Sequence, residues 1–270
     1  MIHCEFIIHR YTIMIHAKQY GQTGNHLIIL HGLFGNSDNW HSIAQKLGEH
    51  FQVHCLDLPN HGESSALKEA SYFNMAKAII SWMDQNAITQ SYLLGHSMGG
   101  KVAMQIASNS PERIIGLIVA DISPVNYKPS HLEIFTGLKS INLKTITSRS
   151  DADTQLAKYV TDINIRRFLM KNLTKKAGQF IWRVELDPLY DNYQTILEKP
   201  ALVHPYTKPT LFIKGELSDY IEAEHRDAIL QYFPDANVKV IQGTGHWLHA
   251  EKPIPFTSLI KRFCATVFGA

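Results

Sequence analysis

A chain of 270 residues, 45% of them hydrophobic, can bury one large core and lies at the upper end of what a single domain holds. Lys plus Arg number 26 against 24 Asp plus Glu, a balance that leaves no concentrated basic face and argues against nucleic acid as the main partner. The three cysteines, Cys4, Cys55 and Cys264, are odd in number and far apart, so they form neither a metal cluster nor a disulfide framework; free thiols predict a reducing, cytoplasmic setting.

The first residues, "MIHCEFIIHRYTIMIH", carry His3, Glu5 and Arg10 inside an apolar pattern, which predicts a hairpin over 2–20 rather than a signal segment. No apolar run approaches the ~18 residues of a membrane span. "HLIILHG" (26–32) is a continuous apolar run ending in glycine, as expected of a strand buried on both faces. Ser37 or Asp38 is placed to cap the helix that follows, with Trp40, Ile43, Ala44 and Leu47 at helical spacing. Next come a strand (51–57), an amphipathic helix (73–87), a strand (91–95), a helix (99–108) and a strand (114–123). Such alternation predicts a mostly parallel, eight-stranded sheet with helices on both faces. The rhythm stops at Pro124, and charged, aromatic, helix-like segments run to about Tyr206. It resumes with "TLFIKG" (210–215), a helix near 222–233, "VKVIQGTG" (238–245) and a last helix from Pro253. The expected layout is an α/β core of residues 1–123 and 207–270, with a helical cap inserted over 124–206.

"LGHSMGG" sets Ser97 between Gly95 and Gly99, at the point where a predicted strand meets a predicted helix. A nucleophile on so sharp a turn needs strained backbone angles and neighbours with almost no side chain. The turn would raise Ser97 at the carboxyl edge of the sheet and aim the first free N–H groups of the helix at a reacting carbonyl. A serine hydroxyl needs a base, and the base needs an orienting acid. Of the fifteen histidines, His246 in "GTGHWLHAEKP" stands directly after the last buried strand, on the same edge as Ser97. His249 reads as a structural partner of the backbone or of Glu251. The oxyanion donors are expected from Met98 and from "HGLFGN", at Leu33 with Phe34 next in line; losing one such donor costs ~2.7–4 kcal/mol of barrier. His31 reads as a brace of that loop.

"HGLFGN", "DLPNHGES", "GHSMGG" and "GHWLHAEKP" stand in the order of the α/β-hydrolase superfamily, which the chain resembles over essentially its whole length. More narrowly, "HGLFGNSDNW", "VADISPVNY" and "GHWLHAEKP" resemble a bacterial esterase group with a mitochondrial α/β-hydrolase-domain relative in animals. The resemblance implies hydrolysis of short- to medium-chain carboxylic esters, with acyl-CoA thioesters as an extension, and neither a metal nor an organic cofactor. In "DLPNHGES" it leaves structural roles: Asp57 ties its turn, Gly62 allows close packing, and His61 either braces or faces the pocket.

The third member departs from the superfamily's commonest layout, which puts an acid three residues after the glycine ending the post-cap strand. Here that glycine is Gly215 and the third residue on is Ser218; Asp219 lies one place beyond and Glu216 two places nearer. The other choice is Asp121, ending "LIVAD" on the strand that should lie between the nucleophile strand and "TLFIKG"; the esterase group takes its acid there. Asp121 is the first choice and Asp219 the second. Losing the orienting carboxylate lowers turnover ~10⁴-fold in such a triad.

The cap should sit above Ser97. Phe135, Leu138, Phe168, Phe180, Trp182 and Tyr190 are its candidate acyl-binding residues, and Phe34, His96, Trp182 and Trp247 the expected pocket residues. Arg166, Arg167, Lys171, Lys175 and Lys176 form a basic stretch on an expected helix, either a solvated face or a dock for a phosphate-bearing acyl carrier. The expected partner is a small ester or thioester, and the oligomeric state, monomer or dimer, is open. A C–C bond hydrolase of the same fold, or a ligand-binding protein with a vestigial triad, is the alternative.

Overall fold

The structure is a computed structural model that describes residues 13–267. Its main sheet has seven strands in the order β1-β3-β2-β4-β5-β8-β9. In chain order these are β1 (Ala17–Tyr20), β2 (His26–Leu30), β3 (Gln52–Leu56), β4 (Ser91–His96), β5 (Ile114–Ala120), β8 (Thr210–Gly215) and β9 (Ala236–Ile241). All neighbours pair in parallel except β1, which runs antiparallel to β3. Eight strands were expected; the first arm of the N-terminal hairpin lies outside the described residues.

The continuous apolar runs have the predicted cause. On β2, Ile28 and Leu30 enter one hydrophobic cluster while Leu27 and Ile29 enter the other, so both faces are covered. The first face is covered by α2 (Tyr72–Gln85), α3 (Met98–Asn109) and α9 (Arg226–Tyr232), through residues such as Met75, Ile79, Val102 and Ile229. The second is covered by α1 (His41–Leu47) and α11 (Pro253–Val267), through Ile43, Leu47, Phe256 and Ile260. A short α10 (Leu248–Glu251) precedes α11.

Local capping differs from expectation at α1. A 3₁₀ turn (Ser37–Trp40) comes first, and Asn36, not Ser37 or Asp38, caps it by accepting from the Asp38 N–H. Ser37 is already the first residue of the turn, one place past the cap position, and its N–H donates to Asp57 Oδ1 at 2.6 Å. At α2, Ser71 accepts from the Asn74 N–H.

Between β5 and β8 the chain leaves the sheet for α4 (Leu132–Ser140), α5 (Arg149–Leu156), α6 (Ile163–Met170), the antiparallel hairpin β6 (Leu173–Lys176) and β7 (Gln179–Trp182), α7 (Leu186–Asp191) and α8 (Tyr193–Leu197). The hairpin was not expected from sequence. Its strands are mostly exposed or half-buried and carry no continuous apolar run, and its turn, Ala177-Gly178, has positive φ at both residues. It also divides the basic stretch: α6 ends at Met170, so Lys175 and Lys176 lie on β6, and Arg166 is spent on Asp153 and the carbonyls of Val160 and Thr161.

Candidate active site

β4 ends at His96 and α3 begins at Met98, so Ser97 alone makes the corner, with φ 53° and ψ −122°. A non-glycine residue persists there only when its surroundings over-determine it. They do so by contact: a Cβ on Gly95 would sit 2.2 Å from the Gly99 carbonyl oxygen, and one on Gly99 would sit 2.4 Å from the carbonyl oxygens of Leu30 and His31. The corner is also tied to β5, where the Ser97 N–H donates to the Ala120 carbonyl at 3.0 Å. Ser97 is half-buried and lines a cavity of about 230 Å³.

His246 lines the same cavity, and its Nδ1–H donates to Asp121 Oδ2 at 2.8 Å. Asp121 is fully buried directly beyond β5, itself at positive φ. Its carboxylate accepts from the Gly215 N–H at 2.9 Å through Oδ1, and from the Ser218 hydroxyl through Oδ2. The strand order explains the reach: β5 lies between β4 and β8, so the tip of β5 stands beside the loop after β8. Ser218 therefore occupies the sequence position where the superfamily's acid was sought, and donates to Asp121 at the tip of the neighbouring strand. Asp219 is exposed and lines an adjoining cavity without a bond to His246, and Glu216 accepts from the Gly243 N–H.

Above the corner runs the loop 31–37. Gly32 packs against the corner so closely that a Cβ on it would lie 3.1 Å from Ser97 Cβ. His31 braces the loop as expected, its Nδ1–H donating to the Gly32 carbonyl and its Nε2 accepting from the Leu58 N–H. His61 braces too: Nε2 accepts from the Phe34 N–H at 3.2 Å, and the ring is not in the cavity wall. That bond commits Phe34, the second choice of oxyanion donor. Among the described residues no hydrogen bond engages the N–H of Leu33 or of Met98, which begins α3. Asp57 ties its turn through Ser37 and Glu63, and Gly62 abuts it so tightly that a Cβ would meet Asp57 Oδ2 at 1.9 Å.

The cavity beside Ser97 is mainly apolar, walled by Leu33, Phe34, Ile165, Phe168, Leu169 and Trp247, with His96 at its base. Trp182 is not part of it; the residue lines a separate surface groove with Leu138 and Asp187. Of the six candidate acyl-binding residues only Phe168 reaches this wall, while Phe135 is buried in the main hydrophobic cluster. A second, more polar cavity of about 440 Å³ shares Ser97, Leu33, Ser130, His131 and Tyr220 with the first and extends past Lys128 and His225.

Residues that sequence reasoning missed include Tyr220, whose ring stacks on His246 at 4.0 Å, and Trp40, stacked on His249 at 4.4 Å. Burial holds the imidazoles around His246 neutral. It pushes His249 down to about 3 and His131 to about 4, and His96 well below its ordinary range, with neighbouring histidines adding to the effect; His61, packed on His31 in the loop, is likewise pushed down to about 3.

The strained corner, the covered parallel sheet and the inserted helices agree with the comparison to known families. Residues 25–253 match the α/β-hydrolase fold family, and the chain belongs to it. The chain is 36% identical over 247 residues to the mouse sn-1-specific diacylglycerol lipase ABHD11, covering 88% of this chain and 80% of that protein. It is 33% identical over 256 residues to the Escherichia coli esterase YbfF, covering 93% and 98%. The solved structure of a marine microorganism esterase, 38% identical, superimposes with a TM-score of 0.91 over 93% of this chain and 99% of that one.

Proposed function

We propose that this chain is a carboxylic ester hydrolase that works through an acyl-enzyme on Ser97. Membership of the family and the esterase and lipase relatives support the reaction class. The observation that carries the residue roles is the buried Asp121 carboxylate 2.8 Å from His246 Nδ1, with His246 and the strained Ser97 lining one cavity.

With its Nδ1–H given to Asp121, the neutral His246 ring presents a bare Nε2 as base. Ser97 Oγ attacks the ester carbonyl carbon while His246 Nε2 takes its proton. The carbonyl oxygen gains the negative charge, and the N–H groups of Leu33 and Met98 hold it. Collapse expels the alcohol, which takes the proton from His246 and leaves the acyl group on Ser97. Water then gives a proton to His246 and attacks the acyl carbon; collapse releases the acid as Ser97 Oγ takes that proton back from His246, restoring both groups. Asp121 holds the tautomer and steadies the imidazolium, and the Ser218 hydroxyl holds Asp121.

The acyl chain belongs in the apolar cavity. Its volume, about 230 Å³, falls below the ~300–1,000 Å³ of sites for drug-sized ligands, which favours short to medium chains. The leaving group belongs on the polar side beside Lys128, His131 and His225, where an alcohol or a thiol carrier is accommodated. Residues 124–206 act as the cap. Among the described residues no helix is long and apolar enough to cross a membrane, and we place the protein in the cytoplasm.

A fluorophosphonate probe should label the native protein, and Ser97→Ala should lose both labelling and ester turnover. Asp121→Asn should lower kcat ~10⁴-fold, with Asp219→Asn within about threefold of the native value. Undiminished hydrolysis by Ser97→Ala, or a larger loss in Asp219→Asn than in Asp121→Asn, would overturn these roles.

A further inference from the structure

The loop that offers the Leu33 N–H cannot hold its own shape. Phe34 sits at φ 60°, a left-handed conformation that a bulky side chain resists. The four N–H groups that follow Leu33 are fixed from outside or by a tight turn: Phe34 N–H to His61, Gly35 N–H to the Gly32 carbonyl, Asn36 N–H to the Asn39 side chain, Ser37 N–H to Asp57. One anchor comes from the insertion. Asn172, in the turn between α6 and β6, is 2% exposed and gives both ends of its amide to this loop. Its Nδ2 donates to the Phe34 carbonyl at 2.7 Å, and its Oδ1 accepts from Asn36 Nδ2 at 3.1 Å. The Asn172 backbone is itself held, with its N–H on the Leu169 carbonyl and its carbonyl accepting from the Arg183 N–H.

We infer that Asn172 is a positioning residue for ester hydrolysis: by holding the Phe34 carbonyl it fixes the left-handed conformation of Phe34, and through it the orientation of the Gly32–Leu33 peptide two units upstream, so that the Leu33 N–H faces the carbonyl oxygen at Ser97. This rests on the reading of Ser97 and Leu33 given above. The Phe34 carbonyl has a fixed donor and the Phe34 N–H a fixed acceptor, so the residue is pinned at both ends in its left-handed conformation. Within 33–37 the N–H left without a protein partner among the described residues is that of Leu33. The insertion thus has two duties. α6 supplies Ile165, Phe168 and Leu169 to the acyl wall, and the turn directly after it holds the oxyanion loop.

The test separates positioning from packing. Asn172→Ala and the near-isosteric Asn172→Leu both remove the donor to Phe34, and are assayed with a short nitrophenyl ester well below the melting temperature of each variant. The expected result is a 10- to 100-fold fall in kcat with KM within threefold, because the lost interaction matters once charge develops on the oxygen. Affinity for a trifluoromethyl ketone, which forms a charged adduct on serine, should fall by the same factor, while affinity for the free fatty acid product should hold. A kcat within twofold of native in either folded variant, or a rise in KM at constant kcat, would overturn the inference and leave Asn172 a wall residue. Loss of ketone affinity in Ser97→Ala, run in parallel, keeps the two readings apart. If Ser97→Ala stays active the catalytic assignment fails; if only the Asn172 variants match native kinetics, the positioning role fails alone.

Discussion

The corner at Ser97 and the loop above it are both tight, both carry a bulky or polar residue at positive φ, and are held by opposite means. At the corner the constraint is exclusion: Gly95 and Gly99 leave room that any Cβ would fill against backbone 2.2–2.4 Å away. In the loop the constraint is attachment, through side chains of His61, Asp57 and Asn172 that come from elsewhere in the sequence. Exclusion is written in adjacent residues and acts at any pH. Attachment depends on partners whose protonation or position can change.

The sharpest way to break the comparison is at the corner itself. Gly99→Ala places a methyl group against the Leu30 and His31 carbonyls, which are sheet and loop backbone and cannot step aside. A destabilisation of about 4 kcal/mol or more is expected, read as a large drop in melting temperature or loss of soluble protein. A stable, active Gly99→Ala protein would mean that the corner is not set by exclusion.

The loop should fail differently, through protonation. His61 must be neutral to accept from the Phe34 N–H, and burial lowers it from its ordinary 6.5 to about 3. Between those values the unfolded chain binds a proton that the folded chain does not, so stability is complete above pH 6.5 and falls as the pH drops toward 3. By pH 5 this one group should cost about 2 kcal/mol. Chemical denaturation of the native protein and of His61→Phe at pH 7 and pH 5 checks it: the loss between the two pH values should shrink by about that amount in the variant. An unchanged difference would remove His61 from the acid response.

The smallest effect is expected where the sequence pointed to the pocket and the structure does not. Trp182→Ala should leave kcat/KM for short esters within twofold, since the residue lies in a surface groove away from Ser97. A tenfold loss would place the hairpin in substrate binding after all.

How much was legible follows the same division. Ser97, His246 and the strands that carry them could be read from runs of adjacent residues, because burial on both faces demands continuous apolar strands and a sharp corner demands glycine. Which carboxylate meets His246 was legible only as a choice, since Asp121, Glu216 and Asp219 all follow the ends of expected strands, and strand order together with the Ser218 and Gly215 donors decides where His246 finds a partner. Asn172 gave no signal at all. An asparagine at the end of a helix reads as an ordinary turn residue, and its bond to Phe34 spans 138 positions. The hairpin β6–β7 was invisible because its four-residue strands carry neither the apolar alternation of a half-buried strand nor the long apolar run of a fully buried one.

What the sequence determined by itself is the covered parallel sheet and the position of the strained serine, since burial on both faces and a glycine-flanked corner each leave their mark in a run of adjacent residues. The tertiary structure alone decided which carboxylate meets His246, which loop groups remain free to donate, and which aromatic residues wall the cavity. Those depend on the order in which parallel strands assemble and on how the insertion folds back, and in both cases the groups that meet are far apart along the chain.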